Sequence, residues 1–430
     1  MITCRAVLSM LVLFSIPDNC FSQGLGGSWD GSIVMRGESW PIELNFENGD
    51  PKLAHLSIPS MGMIDNPIRL EKSSRNKTSI SLPFGLGDFE LDPDGDLLVS
   101  HRKLANGRRI TLLVEKVPNN VRPYLQNEVS IPNGNVTLKG TTYIPRNAKS
   151  PSPGVVILHG SGPSGRTSWE YRSWADFFAR RGIATLIYDK RPFKEEYPDL
   201  QLLAADAKAA IDYFQAHPKT QAQSIGFFGG SQAAWLASEV ASRADSNVAF
   251  IVMSGWPAVS PIEQERQSIE SRLDAANLAN DEFNRASAYL RLYCYVASTP
   301  KAWHVLESAS KVAAKENWAK LVPIPKEKSD LNWWRRNADF PTRQHLSNVK
   351  CPVLACYGAK DSVVPPNRNS QRLMDVLTES GNDDVTIAIF ENADHRIELP
   401  MVMDKNHVRW PQLSPNYLQK IESWLEKRFN

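Results

Sequence analysis

The sequence has little cysteine, and its cysteines do not form the pattern of a disulfide framework. There are five in 430 residues, and two of them lie before Gln23. The other three, Cys294, Cys351 and Cys356, are an odd number, and the last two share a short apolar segment in which an extended chain holds them too far apart to bridge. We therefore predict three buried thiols and a fold that depends on its hydrophobic core.

An excess of charge of one sign is also lacking. Lysine and arginine total 49, aspartate and glutamate total 47, and the formal net charge is +2. This balance excludes the basic surface of a nucleic-acid-binding protein and an acidic tail. No internal repeat or low-complexity tract occurs either. The composition therefore predicts small-molecule partners and no nucleic acid.

Long apolar runs are scarce as well. The N-terminal run Ala6–Ile16 is too short to span a bilayer, which takes roughly 20 residues, so we predict no transmembrane segment. It follows a positive charge and precedes the small residues Cys20 and Ser22, a pattern that predicts a signal peptide over residues 1–22 and a secreted or periplasmic protein. A lipid anchor at Cys20 is the alternative, although proline and polar residues precede it where leucine and small residues are usual.

The chain that follows changes its periodicity once. Residues 23–117 alternate apolar and polar side chains between Asn-Gly, Asp-Gly and Pro-Asp turns, which predicts a small antiparallel β-domain, a sandwich or barrel. Residues 118–126 have the composition of a linker. From there, apolar runs alternate with helical patterns, and this predicts a mostly parallel sheet flanked by helices over residues 127–256 and 351–430.

An insertion interrupts that alternation at residues 257–350, where no convincing buried strand occurs. We predict a helical cap over one edge of the sheet, because an insertion of this length between two strands is usually functional. Its four tryptophans either form the core of the cap or line a substrate pocket, and the high average burial of tryptophan favours the core. They are Trp303, Trp318, Trp333 and Trp334.

The stretch "SIGFFGGSQAAWLASEV" places Ser231 between an apolar strand and a helix. In a tight strand-turn-helix connection the residues two before and two after the central one must be small, and Gly229 and Ala233 are. Ser231 would then project at the C-terminal edge of the sheet, next to the N-terminus of the helix. The alternative is that Ser231 only caps the helix.

A serine nucleophile needs a base and an acid that orients the base, and the later strands supply both. "PVLACYGAKD" ends an apolar run in a turn that carries Asp361, and "VTIAIFENADH" ends the next run in a loop that carries His395. The order Ser, Asp, His favours Ser231 as a nucleophile over a helix cap. The other histidines have no carboxylate spacing typical of a metal pair, so we predict no metal site.

This arrangement resembles the α/β-hydrolase superfamily over residues 127–430. The segment "ILHGSGPSGR" is similar to the His-Gly segment of that family. The resemblance implies an oxyanion hole formed by the backbone N–H groups of Ser161 and Gln232, and a structural role for His159. The implied fold is an α/β-hydrolase fold with a helical cap insertion and a small N-terminal all-β domain.

Within the superfamily the chain looks closest to bacterial exported esterases (esterase D-like) that carry a β-domain in front. The shared elements are "GSWDGSI", "PSMGMIDNPI", the Gly-Gly-Ser-Gln turn and "YDKR". Two positions depart from that pattern. Ala233 stands where the family usually has glycine and still satisfies the steric requirement, whereas Pro192 replaces the glycine of "YDKRG" and changes the loop that follows.

These features predict a secreted serine carboxylesterase for small to medium acyl esters, which works without a cofactor through Ser231, His395 and Asp361. The alternative is a peptidase of the prolyl oligopeptidase or serine aminopeptidase type, in which Glu195 and Glu196 could grip a free amino terminus. A non-catalytic binding protein on the same fold is a third reading. Asp189 and Arg191 could bind substrate carboxylates, but we expect them to form structural ion pairs near the site.

Overall fold

The computed structural model describes residues 25–46, 53–72, 77–104, 107–118, 122–146, 151–193, 196–403 and 408–429. The predicted signal peptide lies outside these ranges. The chain forms two compact units, one from Met1–Ser57 and Asp65–Asn120 and the other from Ile58–Ile64 and Val121–Asn430. No helix in the described ranges is long and apolar enough to cross a membrane.

The first unit is built on eight strands. They are β1 (Gly27–Met35), β2 (Glu38–Phe46), β3 (Leu53–Ile58), β4 (Met63–Lys72), β5 (Thr78–Leu82), β6 (Gly87–Glu90), β7 (Leu97–Lys103) and β8 (Arg109–Val117). Their order in the sheet is β6-β5-β4-β3-β2-β1-β8-β7. The end strands follow each other in the chain, and Nη1 of Arg102 on β7 donates to the carbonyl of Asp88 on β6 at 3.3 Å. The sheet therefore curls until its two ends lie side by side.

Alternation of side chains accounts for this sheet. Strand β2 buries Trp40, Ile42, Leu44 and Phe46, and the residues between them are exposed. Because successive side chains of a strand point to opposite faces, such a segment can cover one core and meet solvent on its other side. An antiparallel β-domain was predicted from this pattern, and the all-β character of the unit is confirmed.

The second unit contains an eight-stranded sheet of order β16-β15-β14-β13-β11-β12-β10-β9. The strands are β9 (Tyr124–Asn133), β10 (Val136–Pro145), β11 (Ser152–Ile157), β12 (Ala184–Tyr188), β13 (Thr220–Gly230), β14 (Ile251–Ser254), β15 (Val353–Gly358) and β16 (Val385–Phe390). Strands β9 and β10 form an antiparallel hairpin, and β10 pairs with β12 antiparallel. Every pairing from β12 through β11 to β16 is parallel.

Helices cover both faces of this sheet. They are α1 (Trp169–Ala179), α2 (Leu200–Gln215), α3 (Ala233–Ala241), α9 (Pro366–Glu379) and α10 (Tyr417–Phe429). Side chains of α2, α3 and α9 share one apolar core with one face of the sheet, and those of α1 and α10 share a second core with the other face. Four two-residue strands near the C-terminus form two small antiparallel sheets, β17 (Glu398–Leu399) with β20 (Gln412–Leu413) and β18 (Val402–Met403) with β19 (Val408–Arg409). This is the α/β-hydrolase fold that the sequence predicts.

A helical insertion joins β14 to β15. It contains α4 (Pro261–Ala275), α5 (Asn280–Ser298), α6 (Trp303–Ala313), α7 (Asn332–Asn337) and α8 (Thr342–Ser347), with short 3-10 turns at Ala319–Leu321 and Lys328–Leu331. Helices α4 to α6 share a core of their own, in which Trp318 is buried and against which Trp303 and Trp334 pack. Trp333 packs instead against the larger core of the sheet. Trp318 is therefore a core residue of the insertion, and the other three tryptophans are half-buried against these cores.

One strand differs from expectation. The apolar segment "VTIAIFENAD" is typical of a strand buried on both faces, but β16 is the edge strand of the sheet and Ile389 is 48% exposed. An edge strand has a neighbour on one side only, and apolar content alone does not distinguish it from a central strand. The prediction of buried thiols also holds only in part, since Cys356 is buried and Cys294 and Cys351 are half-buried.

Candidate active site

Ser231 occupies the turn between β13 and α3, at the C-terminal edge of the parallel sheet. Its φ is 56°, in the left-handed region that residues with a side chain seldom adopt. The residue before the helix is Gln232, which is already in a helical conformation. A helix-capping serine has an extended backbone and stands directly before the helix, so Ser231 does not have the geometry of a cap.

The turn is tight because strand and helix approach each other closely. A methyl group added at Gly229 would lie 2.8 Å from Cβ of Ala233 and 2.9 Å from the carbonyl oxygen of Leu158. The N–H of Ser231 donates to the carbonyl of Ser254 on the neighbouring strand at 2.9 Å, which anchors the turn to the sheet. Glycine at position 229 and a residue no larger than alanine at 233 are thus steric requirements of this connection.

Asp361 and His395 are brought together by the loops that follow β15 and β16. Nδ1 of His395 lies 2.7 Å from Oδ2 of Asp361, and the aspartate side chain is fully buried. The other oxygen of Asp361 accepts the N–H groups of Val363 and Val364 at 2.8 Å each. Both carboxylate oxygens of Asp361 therefore have hydrogen-bond partners, and these partners hold the carboxylate in one orientation.

Two glycines position the histidine, and the sequence interpretation did not single them out. A methyl group at Gly255 would lie 2.8 Å from Cε1 and 2.9 Å from Nδ1 of His395. One at Gly358 would lie 2.0 Å from the carbonyl oxygen of Asp394, directly before that histidine. Gly255 also has a φ of 54°. The imidazole therefore packs directly on the backbone after β14, where no other residue fits. The only sequence signal was a glycine directly after an apolar run.

The loop after β11 lies on the other side of Ser231. It contains Ser161, while Gln232 begins the helical turn after Ser231. His159 in this loop is buried, and its Nε2 lies 2.7 Å from the carbonyl of Tyr188. Burial and the nearby charge of Lys190 lower the pKa of His159 to about 3. A neutral, enclosed imidazole is a structural member of the loop, as the resemblance implies.

Ser161, Ser231 and His395 line one cavity of about 280 Å³. Gln232 and Asp361 are buried next to it. Its walls include side chains that the sequence interpretation did not assign to a site, because no motif connects them: Tyr171, Trp174, Phe228, Ser254 and Tyr417. The Ser254 and Tyr417 hydroxyl oxygens lie 2.5 Å apart. The four aromatic side chains in these walls favour an apolar group bound beside Ser231.

A charged pair also lines this cavity. Nη2 of Arg396 lies 3.5 Å from a carboxylate oxygen of Glu170, and Nε of Arg396 donates to Glu398 at 3.2 Å. Burial raises the pKa of the Glu398 carboxyl, and the charge of Arg396 opposes that shift. The rim of the cavity thus carries both signs of charge.

The other charged residues considered as substrate ligands have partners within the fold. Asp189 accepts from the backbone N–H of Arg166 at 2.9 Å and from its Nε at 3.2 Å. Arg191 donates to both carboxylate oxygens of the buried Asp206, at 2.6 and 2.7 Å. Glu196 is ion-paired with Arg336 at 2.8 Å, and Glu195 lies outside the described residues. Asp189 and Arg191 therefore form structural ion pairs, as expected, although with other partners and not with each other.

Three further observations do not involve Ser231. A larger surface groove of about 1120 Å³ lies between α4, α8 and α9, and none of the predicted site residues lines it. Among the residues that the structure describes, no three His, Cys, Asp or Glu side chains gather as a metal site would require. Burial raises the pKa of each of the three unpaired thiols to about 12.

Comparison with curated proteins finds two relatives in Mycobacterium tuberculosis, from strains CDC 1551 and H37Rv, each provisionally named a phosphoribosyl transferase. Identity is 31% over 211 residues, which is 46% of this chain and 46% of the relative. The match thus spans about half the length of these proteins. Their name therefore describes a longer protein than the matched part.

Among solved structures, the chain is similar to a dienelactone hydrolase from Anabaena variabilis ATCC 29413, with 20% identity, a TM-score of 0.40 and coverage of 71% of this chain and 97% of the other. It is also similar to an esterase from Pyrococcus furiosus, with 16% identity, a TM-score of 0.44 and coverage of 73% and 93%. At these values the two similarities concern the fold alone. The family model described as serine aminopeptidase, S33, matches residues 149–399, which is more than half of the chain and contains Ser231, Asp361 and His395. The chain belongs to this family of serine hydrolases with the α/β-hydrolase fold.

Proposed function

We propose that the protein is a serine carboxylesterase for small acyl esters, with Ser231 as nucleophile, His395 as base and Asp361 as the residue that orients the base. The observation that carries this proposal is the position of Ser231, with a φ of 56°, in one cavity with a histidine that is paired to a buried aspartate. Export belongs to the same proposal, and the apolar run Ala6–Ile16 supports it.

The first half of the reaction is transfer of the acyl group to the enzyme. Oγ of Ser231 attacks the ester carbonyl carbon while Nε2 of His395 takes the hydroxyl proton. The carbonyl oxygen becomes an oxyanion, which accepts hydrogen bonds from the backbone N–H groups of Ser161 and Gln232. Each such donor contributes about 3–4 kcal/mol in comparable sites. The intermediate then expels the alkoxide, which takes the proton from His395 and leaves as an alcohol.

The second half repeats these steps with water. His395 removes a proton from a water molecule, whose oxygen attacks the acyl-enzyme and forms a second oxyanion in the same place. Collapse releases the carboxylic acid and returns the proton to Ser231. Through both halves Asp361 accepts a hydrogen bond from Nδ1–H of His395, which keeps Nε2 free to act as a base and stabilises the imidazolium. The proton that Ser231 loses is thus regained, and the net reaction consumes one water.

The cavity supports a small acyl group as the preferred substrate. Its volume of about 280 Å³ also has to accommodate the reacting carbonyl, and Tyr171, Trp174 and Tyr417 limit its extent. Acyl chains from acetyl to butyryl fit such a space, whereas a chain as long as palmitoyl would extend beyond it. Aromatic rings contribute apolar contact area, which favours an apolar group of the ester in this cavity.

A peptidase acting on free amino termini is the second candidate. Two observations favour it, the family model and the carboxylate of Glu170 in the cavity lining, which could bind an ammonium group. Against it, Glu170 already has an ion-pair partner in Arg396 and Glu196 has one in Arg336. An amide is also the more demanding substrate, because its leaving amine must be protonated as it departs.

The test uses the whole chain with a panel of p-nitrophenyl esters from acetate to palmitate and a set of aminoacyl anilides. We expect the highest kcat/KM on acetate to butyrate and little anilide turnover. A fluorophosphonate probe should label the wild type, and Ser231→Ala should abolish both labelling and turnover. Ser238→Ala is the matched control, because this buried serine on α3 only donates to the carbonyl of Ala234 at 2.6 Å. Anilide turnover without ester turnover would overturn the esterase assignment.

A further inference from the structure

Lys190 is a buried lysine without a carboxylate partner among the described residues. It is 7% exposed, and two nearby acidic residues are already paired, Asp189 with Arg166 and Asp206 with Arg191. A buried ammonium usually needs an ion-pair partner. Nζ of Lys190 contacts neutral oxygens instead, three of which belong to the proposed oxyanion residue Gln232 and to the two neighbours of Ser161. The fourth is the hydroxyl of Tyr197.

Two of these partners enclose Ser161. Nζ of Lys190 donates to the carbonyl oxygen of Gly160 at 2.6 Å and to that of Gly162 at 2.8 Å. Ser161 stands between these two glycines, and its N–H is one of the proposed oxyanion donors. The peptide unit that carries this N–H contains the Gly160 carbonyl. A hydrogen bond to that carbonyl therefore sets the direction of the Ser161 N–H.

A second arm reaches the other oxyanion donor. The hydroxyl of Tyr197 lies 2.5 Å from Nζ of Lys190 and donates to Oε1 of Gln232 at 3.0 Å. Nζ of Lys190 lies 3.5 Å from the same oxygen. The side chain of Gln232 is buried, so these bonds hold the residue whose backbone N–H is the second proposed donor. One polar cluster thus touches both sides of the oxyanion hole.

The insertion holds this cluster from outside. The Tyr197 ring lies edge-on to Trp333 of α7, with 6.4 Å between centroids, and the indole N–H of Trp333 donates to the carbonyl of Pro198 at 3.1 Å. Arg336 on the same helix is ion-paired with Asp199 at 2.6 Å. The loop that carries Tyr197 is therefore tied to α7, which fixes the tyrosine relative to Lys190.

We propose that Lys190 and Tyr197 are positioning residues that hold the backbone N–H groups of Ser161 and Gln232 where the oxyanion of the tetrahedral intermediate forms. Neither side chain lines the cavity, so they act through the peptide groups that they bind. Because the N–H donors are already in place, the protein does not have to reorganise when the oxyanion forms. This inference rests on the proposed function, since it assumes an oxyanion beside Ser231.

The test compares wild type with Lys190→Met and Tyr197→Phe. Methionine keeps the apolar stem without the donors, and phenylalanine keeps the ring next to Trp333. We expect Lys190→Met to lower kcat 10- to 100-fold and Tyr197→Phe to lower it several-fold, with KM within about 2-fold in Lys190→Met. The reason is that misdirected N–H groups of Ser161 and Gln232 would weaken transition-state stabilisation more than substrate binding. The inhibition constant of phenylboronic acid, which forms a tetrahedral adduct with a reactive serine, should rise by the same factors.

A matched control and a second measurement keep the inference testable. Lys208→Met removes a lysine of α2 that is ion-paired with Asp212 and should leave all constants unchanged. Denaturation curves establish that each variant is folded. A Lys190→Met or Tyr197→Phe protein with wild-type kcat and boronate affinity, or with a loss in KM alone, would overturn the positioning role. If Lys190→Met does not fold, Tyr197→Phe decides on its own.

The rate of fluorophosphonate labelling separates this inference from the proposed function, because phosphonylation of Ser231 also places an oxygen in the oxyanion hole. If the wild type is labelled but hydrolyses no ester in the panel, the esterase proposal is wrong. Slower labelling of Lys190→Met would then still support the positioning role. If the wild type is not labelled at all, both proposals are wrong.

Discussion

The two sides of Ser231 are held by different kinds of interaction. On the base side, which carries the proposed base, His395 packs on the backbone of Gly255 and pairs with the buried Asp361. On the oxyanion side, which carries the proposed oxyanion hole, hydrogen bonds of Lys190 and Tyr197 connect the loop of Ser161 with Gln232. The base side should therefore be sensitive to added volume, and the oxyanion side to loss or change of a polar group.

This difference follows from what each side has to fix. A base needs one ring in one orientation, and close packing against backbone provides that without further polar groups. An oxyanion hole needs two N–H vectors from separate segments of the chain, which only directional bonds to both segments can align. Each side can therefore be tested by a change that the other side would tolerate.

The largest effect is expected for Gly255→Ala. The added methyl would lie 2.8 Å from Cε1 of His395, and alanine would be strained at a φ of 54°. Since a misplacement of about 1 Å can cost 10²-fold in rate, we expect kcat/KM to fall roughly 100-fold. The measurement is ester hydrolysis together with the unfolding free energy.

The control for backbone strain is Gly381→Ala. Gly381 has a φ of 79° after α9, and nothing lies within 4 Å of the added methyl group. It should lose about 1 kcal/mol of stability through its strained φ and keep wild-type activity. Equal activity in Gly255→Ala and the wild type would show that contact with this glycine does not set the position of His395.

The next effect concerns the charge of Lys190. Burial lowers the pKa of Lys190 to about 7, against about 10.4 in an unfolded chain. Between these values the unfolded state binds more protons, so this lysine makes stability rise with pH from about 7 to about 10, and that gain is lost again as pH falls from about 10 to about 7. From pH 7 to 9 the wild type should gain about 2 kcal/mol relative to Lys190→Met.

Denaturant unfolding of both proteins at pH 7, 8 and 9 measures this difference. The neighbouring titratable groups in the folded protein stay out of the window, because burial raises the pKa of Tyr197 to about 12 and lowers that of His159 to about 3. Ser238→Ala serves as the reference, since it changes no titratable group and its difference from the wild type should not vary with pH. A constant difference between wild type and Lys190→Met would mean that Lys190 keeps its charge in the folded protein throughout this range.

The sequence predicts well those site residues that directly follow a strand. Parallel strands end at one edge of a sheet, so residues that follow apolar runs can be assigned to that edge without a structure. Ser231, Asp361 and His395 were found in this way, and His395 and Asp361 do pair. The two kinds of alternation along the chain also distinguish the β-domain from the α/β unit, and the predicted fold class is confirmed.

Lys190 and Gly255 were not predictable by that reasoning. The partners of Lys190 come from three separate segments, and only tertiary packing brings these together. The role of Gly255 depends on a histidine far along the chain. Strands β3 and β4 were not singled out either, since "LAHLSI" and "MIDNPIRLEK" do not alternate strictly, and β3 buries five successive residues. Local patterns predict elements, whereas contacts between distant segments need the folded chain.

The smallest effect is expected for Ala233→Gly, a change in the turn that carries Ser231 and joins both sides. Ala233 is the first residue of α3, and its Cβ lies where a methyl group on Gly229 would be only 2.8 Å away. If smallness is the requirement, glycine at 233 should keep kcat/KM within about 2-fold and cost at most about 1 kcal/mol, since it loosens only the first helical turn. The opposite kind of change on the strand side of the turn is Gly229→Ala. Its methyl group would lie against Ala233 and the Leu158 carbonyl, so fluorophosphonate labelling should be strongly slowed. A large activity change in Ala233→Gly would mean that the alanine methyl itself sets the position of Ser231, and that the turn needs more than small neighbours.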